Sequence, residues 1–256
     1  MEIVRSTKLV DMRLRAINEE TTSEDLAALD AALGPKQMRQ ARVQLAGDDL
    51  TPFVILRGWA CLTRTAADGG RQIMSFLLPG DAVGFGPATK SLAGDSLWTL
   101  TPLTFRRLRS DRARYLMSRT ALMRAFSGLD ARHQNYQRNQ ILRLSRLSAL
   151  RRMADLLAEL AERMTEVSPP GENGVAMPLR QVHCSDALGM SVVHVRHVLK
   201  ELAARGATVV ENDRLLVCDI PLLQALARDG DRRAPAEPAR RAPAQVEPAA
   251  AATSAA

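Results

Sequence analysis

Cysteine is scarce in this chain, and its placing argues against two kinds of architecture. Only Cys61, Cys184 and Cys218 occur among 256 residues. The odd number and wide spacings speak against a disulfide framework, and against a zinc or iron–sulfur site made from closely spaced thiolates. Three reduced, partly buried thiols are expected, and nothing marks one of them as a redox sensor. Long apolar runs are missing too. No segment has the ~18 consecutive apolar residues that a bilayer-spanning helix needs. The opening MEIVRSTKLVDMRLRAINEE carries a charge every few positions, unlike the apolar heart of a signal peptide. A cytoplasmic location and no membrane partner are therefore expected. There is no G-x-S-x-G, no Walker loop and no H-E-x-x-H. No catalytic residue is assigned, and no enzyme activity is expected.

Histidine is also rare. His194 and His197 are spaced i, i+3 and could share a helix face near His183 and Cys184. No carboxylate or third ligand stands at ligand spacing. These side chains read as surface or groove-facing imidazoles, with no metal site.

What is present is positive charge. Lys and Arg number 35 against 28 acids, for a net charge of +7, a balance that suits an anionic partner. The segment 229–256 is Ala, Pro and Arg. Its four Arg (232, 233, 240, 241) balance Asp229, Asp231, Glu237 and Glu247, so the excess belongs to the rest of the chain. That segment is expected to be a disordered tail. Between Arg132 and Arg152 stand six Arg (132, 138, 143, 146, 151, 152) and no acid. A one-sign run is a candidate phosphate contact, or else a merely soluble basic face.

Hydropathy patterning divides the chain. Residues 21–34 read as a short helix with Ser23 as N-cap and Gly34-Pro35 as its stop. From Arg42 to Arg109, short apolar runs alternate with Gly, Pro and Asp, the mark of an all-β unit. The clearest hairpin pairs Val54–Thr65 with Arg71–Leu78 around Ala67-Asp68-Gly69-Gly70, and Pro79-Gly80-Asp81 ends it. After Ser110 the period becomes helical. Leu122, Phe126, Leu129, His133, Tyr136 and Gln140 alternate steps of four and three. This seam suits a long helix that pairs with a second copy, or one packed on its own domain. A further helix is expected over Ser148–Thr165.

Residues 178–217 carry the most specific signal. A helix over Arg180–Ala187 meets a turn at Leu188-Gly189-Met190, then a helix capped by Ser191. Val195, Val198, Leu199 and Leu202 form its buried face. A hairpin follows, Val209-Val210 against Leu215–Val217. Helix, Gly turn, capped helix and wing is winged helix-turn-helix geometry. Ser191, Val192, Val193, His194, Arg196, His197 and Lys200 are the candidate DNA-binding residues. The cations donate to base edges or phosphates, and the valines touch thymine methyl groups.

Three stretches resemble the Crp–Fnr family of bacterial regulators. They are LRGWACLTRTAADGGRQIMSFLLPGDAVGF (56–85), the long helix at about 119–147, and ALGMSVVHVRHVLKELAARG (187–206). The resemblance implies an α+β chain of four parts. Residues 1–118 would be a cupin-like β-roll sensor resembling cyclic-nucleotide-binding domains, and 119–150 a dimerisation helix. Residues 151–228 would be the winged helix-turn-helix, and 229–256 the tail. It implies a homodimer on palindromic double-stranded promoter DNA, with RNA polymerase as a further partner. The departures bear on the signal. Cyclic-AMP-binding members hold ribose and phosphate with a Glu after a roll Gly and a later Arg. Here the stretches read Gly84-Phe85-Gly86-Pro87 and Asp95-Ser96-Leu97-Trp98, with neither anchor. The N-terminal iron–sulfur cysteines of oxygen-sensing members are absent, and no roll histidine supports haem. No cofactor is expected. At the reading helix, Val193 and His197 stand where the family often places Glu and Arg, and Cys184-Ser185 stand for its Leu and Ala. These changes leave a second reading, a partner-responsive module with a degenerate helix-turn-helix.

Overall fold

The computed structural model describes residues 7–45, 51–85, 95–211 and 214–229. The expected tail lies outside the described residues except for Asp229, which closes a helix. Two short helices, α1 (Lys8–Ile17) and α2 (Ser23–Ala32), come first. The cap of α2 is Thr22 and not Ser23. Its hydroxyl accepts from the Asp25 N–H, and the Asp25 carboxylate accepts from the Thr22 N–H, a reciprocal pair that satisfies two otherwise open donors. Gly34 and Pro35 stop the helix, as expected, but they already lie in the next strand.

Eight strands follow: β1 (Leu33–Arg39), β2 (Gln44–Leu45), β3 (Phe53–Arg57), β4 (Ala60–Thr65), β5 (Arg71–Leu77), β6 (Ala82–Val83), β7 (Ser96–Thr99) and β8 (Leu103–Leu108). They form two four-stranded antiparallel sheets, ordered β1-β8-β3-β6 and β2-β7-β4-β5. Between them lies a dry layer that includes Phe53, Ile55, Leu62, Leu77, Leu97 and Phe105. The expected single strand Val54–Thr65 is in fact two strands in different sheets. Gly58 is the reason. Its φ is +87°, and a Cβ there would stand 2.1 Å from the Pro102 carbonyl oxygen, so only glycine lets the chain cross from one sheet to the other. The β4–β5 hairpin turns at Gly69, also at positive φ.

Helices α3 (Ser110–Met117), α4 (Thr120–Arg146) and α5 (Ala149–Thr165) lead to the C-terminal unit. There β9 (Val175–Met177), α6 (Gln181–Leu188), α7 (Val192–Ala204), β10 (Thr208–Glu211), β11 (Arg214–Val217) and α8 (Ile220–Asp229) complete the fold. The hairpin expected after Gly206 is present, with β9 added as its third strand. One continuous apolar cluster joins the two ends of the chain. Trp59, Cys61, Ile73 and Phe76 of the β-unit share it with Leu157 and Leu160 of α5, Leu188 of α6 and Val195 of α7. The C-terminal unit is therefore packed on the β-unit of its own chain.

Candidate nucleic-acid interface

Helix α6 ends because Gly189 takes the left-handed conformation, φ +60° and ψ +39°, and its N–H bonds back to the Ser185 carbonyl at 3.0 Å. Two residues later the Ser191 hydroxyl accepts the His194 N–H at 3.2 Å and starts α7. Near the start of α6, His183 Nδ1 accepts the Arg180 N–H at 3.1 Å. Burial, then the nearby Arg180 and Arg71, pull the His183 pKa down to about 4. It is a neutral structural imidazole, whereas His194 and His197 are exposed.

Val195, Val198, Leu199 and Leu202 face inward and are buried. Ser191, Val192, Val193, His194, Arg196, His197 and Lys200 are all exposed, so the candidate DNA-binding residues lie on one solvent-facing surface. Arg196 leans toward Gln181 of α6, Nε to Oε1 3.4 Å. Val193 is 64% exposed, an apolar side chain left largely open to solvent. Asn212 and Asp213, expected to join the two wing strands, lie outside the described residues.

The arginine run does something other than the sequence suggests. Arg143 is 2% exposed. Its Nε donates to Asp155 Oδ2 and its Nη2 to Glu159 Oε2, both at 2.8 Å. Arg132 pairs with Glu166. Arg151 donates to the carbonyls of Ala227 and Arg228, and Arg152 to those of Leu147 and Leu188. Acids and carbonyls elsewhere in the chain therefore claim four of the six guanidiniums. Arg138 and Arg146 remain exposed on α4.

The expected dimerisation seam also faces elsewhere. Leu122 and Phe126 are 0% and 2% exposed, in a core with Val10, Leu14, Leu29 and Phe85 of the same protomer. Leu129, His133 and Tyr136 are half-buried, and Gln140 is buried with its amide on the Ala187 carbonyl. Leu122, Phe126 and Gln140 thus have no surface to offer a second copy in this conformation. The apolar stripe on α4 is the face that packs on its own protomer. Ile141 and Leu142 are 68% and 55% exposed elsewhere on the helix.

A cavity of about 160 Å³ opens between the β-unit and α4, with Leu62, Leu77, Asp81, Val83, His133 and Tyr136 in its wall. Asp95, at its edge, is ion-paired with Arg64. Gly86 and Pro87 lie outside the described residues. Burial raises the Cys61 and Cys184 thiols to about 12, so both are protonated at neutral pH; Cys218 is exposed. Among the described residues no three His, Cys, Asp or Glu side chains converge as a metal site, and no helix is long and apolar enough to cross a membrane.

Comparison with known proteins places this geometry in a family context. Residues 151–226 match the Crp-like helix-turn-helix domain. The chain is similar to the transcriptional activator protein FnrL of Cereibacter sphaeroides, 29% identical over 86% of this chain and 91% of that protein. It is also similar to the transcriptional activatory protein AadR of Rhodopseudomonas palustris, 26% identical over 76% of this chain and 79% of that one. Among solved structures, FixK2 from Bradyrhizobium japonicum superposes with a TM-score of 0.61 at 19% identity, covering 75% of this chain and 96% of that one.

Proposed function

We propose that the chain is a regulator of the Crp/Fnr family and that it binds double-stranded promoter DNA as a homodimer through the outer face of α7. The observation that carries this reading is the exposure of Arg196 and Lys200, one turn apart on a helix whose other face is buried. A helix so anchored enters a major groove without unfolding anything. Ser191 and the first turn of α7 meet phosphate, Arg196, His197 and Lys200 donate to bases or backbone, and Val192 and Val193 touch methyl groups.

Pairing uses the α4 face that the protomer leaves uncovered. Ser127, Ala131, Gln134, Arg138, Ile141 and Ser145 are all exposed and follow one another at steps of four and three. That is a heptad stripe, small and polar at its start and apolar at Ile141. A second copy laid on it covers Ile141 and Leu142 and turns two reading helices toward one duplex.

The signal is not a cyclic nucleotide held in the family's usual way. Gly84 and Phe85 offer no carboxylate for a ribose, and at 95, where a phosphate would need a cation, stands an aspartate that already engages Arg64. No cofactor is required for this role. The protein acts in the cytoplasm and contacts RNA polymerase as a regulator, with no catalytic step of its own. Mapping of bound DNA in cells tests the reading. Enriched duplexes should carry two-fold half-sites about one helical turn apart. Enrichment no greater than that of an Arg196→Ala/Lys200→Ala chain overturns it.

A further inference from the structure

The last carbonyls of an α-helix have no partner within the helix, and the dipole makes that end electronegative. At the end of α6 these carbonyls are claimed from outside the helix-turn-helix. Gln72 of β5 donates Nε2 to the Ala187 oxygen at 2.9 Å. Gln140 of α4 donates to the same oxygen. Arg152 of α5 reaches the Leu188 oxygen at 3.4 Å. Beside them Arg71 of β5 donates Nε to Asp186 Oδ2 at 2.8 Å.

The amide of Gln140 has only one useful orientation. Its Oε1 accepts from Arg143, and Arg143 is held by Asp155 and Glu159 of α5. The amide nitrogen must then face Ala187. One carbonyl oxygen, two residues before the left-handed Gly189, is thus shared by a strand of the β-unit and by the long helix. A shift of β5 relative to α4 cannot keep both bonds. A Cβ built on Gly189 would stand 3.9 Å from Leu144 Cδ2 of α4, so the turn that orients α7 lies beside the same joint.

We propose that Gln72, Arg71 and Gln140 are positioning residues for DNA reading. They fix the pose of α7 against the β-unit and the long helix, and so set which half-site spacing the dimer accepts. This rests on the DNA-binding reading above and touches no residue of the reading face. Loss of the joint should leave each α7 able to read its half-site while the two heads lose their fixed separation.

The test uses the full-length chain and a duplex selected from random sequence by the wild-type protein. Companion duplexes have the half-sites moved apart by one and by two base pairs, or carry a single half-site. Four proteins are compared by equilibrium titration: wild type, Gln72→Ala, Arg71→Asp, and Arg71→Asp/Asp186→Arg, which rebuilds the ion pair reversed. For Gln72→Ala and Arg71→Asp, preference for the selected spacing should fall at least about fivefold, in the range of ordinary site-to-site coupling. Single half-site binding should stay within about twofold, and the charge swap should restore the preference. A merely structural role would weaken every duplex alike. Unchanged spacing preference, or equal loss on all duplexes, overturns the joint. Failure of the wild-type chain to enrich any duplex overturns the DNA-binding reading beneath it.

Discussion

Arg163 of α5 donates Nη2 to Asp81 Oδ2 at 2.9 Å, which ties the Pro-Gly-Asp turn of the β-unit to the scaffold of the DNA reader. Arg13 of α1 approaches the other carboxylate oxygen at 3.4 Å and donates to the Arg163 carbonyl at 2.9 Å. Gly80 makes room, since a Cβ there would stand 2.9 Å from Arg13 Nε. Three regions far apart in sequence meet at one carboxylate.

Asp81→Asn leaves two buried guanidiniums short of a charge partner. A loss of about 3 kcal/mol is expected at pH 7, a fall in Tm of roughly 6–12 °C by calorimetry. The pH dependence has a definite sign. Burial raises the Asp81 pKa, but Arg13, Arg163 and the Leu78 N–H outweigh it and hold the pKa below 3.8. The ionised form therefore contributes stability above that value and loses it as pH falls through the folded pKa. The gap between wild type and Asp81→Asn should narrow below pH 3.8.

His183 gives a second titration with its own window. Its pKa is about 4 in the folded chain against 6.5 when unperturbed. Between these values the unfolded state binds the proton more readily. Stability from the neutral imidazole is complete above 6.5 and declines as pH falls toward 4, by up to about 1.4 kcal/mol per unit. Thermal melts from pH 7 to pH 5 should fall less steeply for His183→Gln, whose amide oxygen can still accept the Arg180 N–H. Parallel slopes would show that His183 takes up its proton equally in the folded and unfolded chain, and would contradict the lowered pKa.

The two arginine classes separate by experiment. Arg143→Met should lower Tm, because Asp155, Glu159 and the Gln140 amide oxygen each lose a buried donor, yet leave the salt dependence of DNA binding unchanged. Arg146→Ala should leave Tm within about 2 °C and reduce the log–log salt slope by about one per protomer if it meets a phosphate.

The two faces of α4 also separate. Phe126→Ala should cost about 3–5 kcal/mol through its own core. Ile141→Asp should leave the protomer fold intact by circular dichroism and halve the mass in sedimentation equilibrium. A stable dimer of Ile141→Asp would place the pairing face elsewhere.

What could be read from sequence was local chemistry. Gly189 with Ser191 marks the turn and the cap within three residues. Val195, Val198, Leu199 and Leu202 mark a buried face in one helix. Partners at a distance were not legible. The acids that neutralise Arg143 stand 12 and 16 residues away, on a helix that folds back after Leu147. Periodicity identified the apolar side of α4 through Leu122 and Phe126, but the same three-four steps recur at Ser127, Ala131 and Gln134. Apolar residues bury themselves first in the protomer's own core, so the stripe did not say which face a second copy meets. Gly58 read as part of one strand because the close approach of Pro102 exists only once the sheets are folded.

The most direct measurement is equilibrium binding of the dimer to its selected duplex between low and physiological salt, repeated for Lys200→Ala and Arg196→Ala. Wild-type affinity should fall steeply with salt. Lys200→Ala should flatten the slope by about two, one phosphate per protomer, and Arg196→Ala should relax base preference by about 1–3 kcal/mol per half-site. Binding that both substitutions leave unchanged in slope and sequence preference would contradict the assignment of α7 as the reading helix.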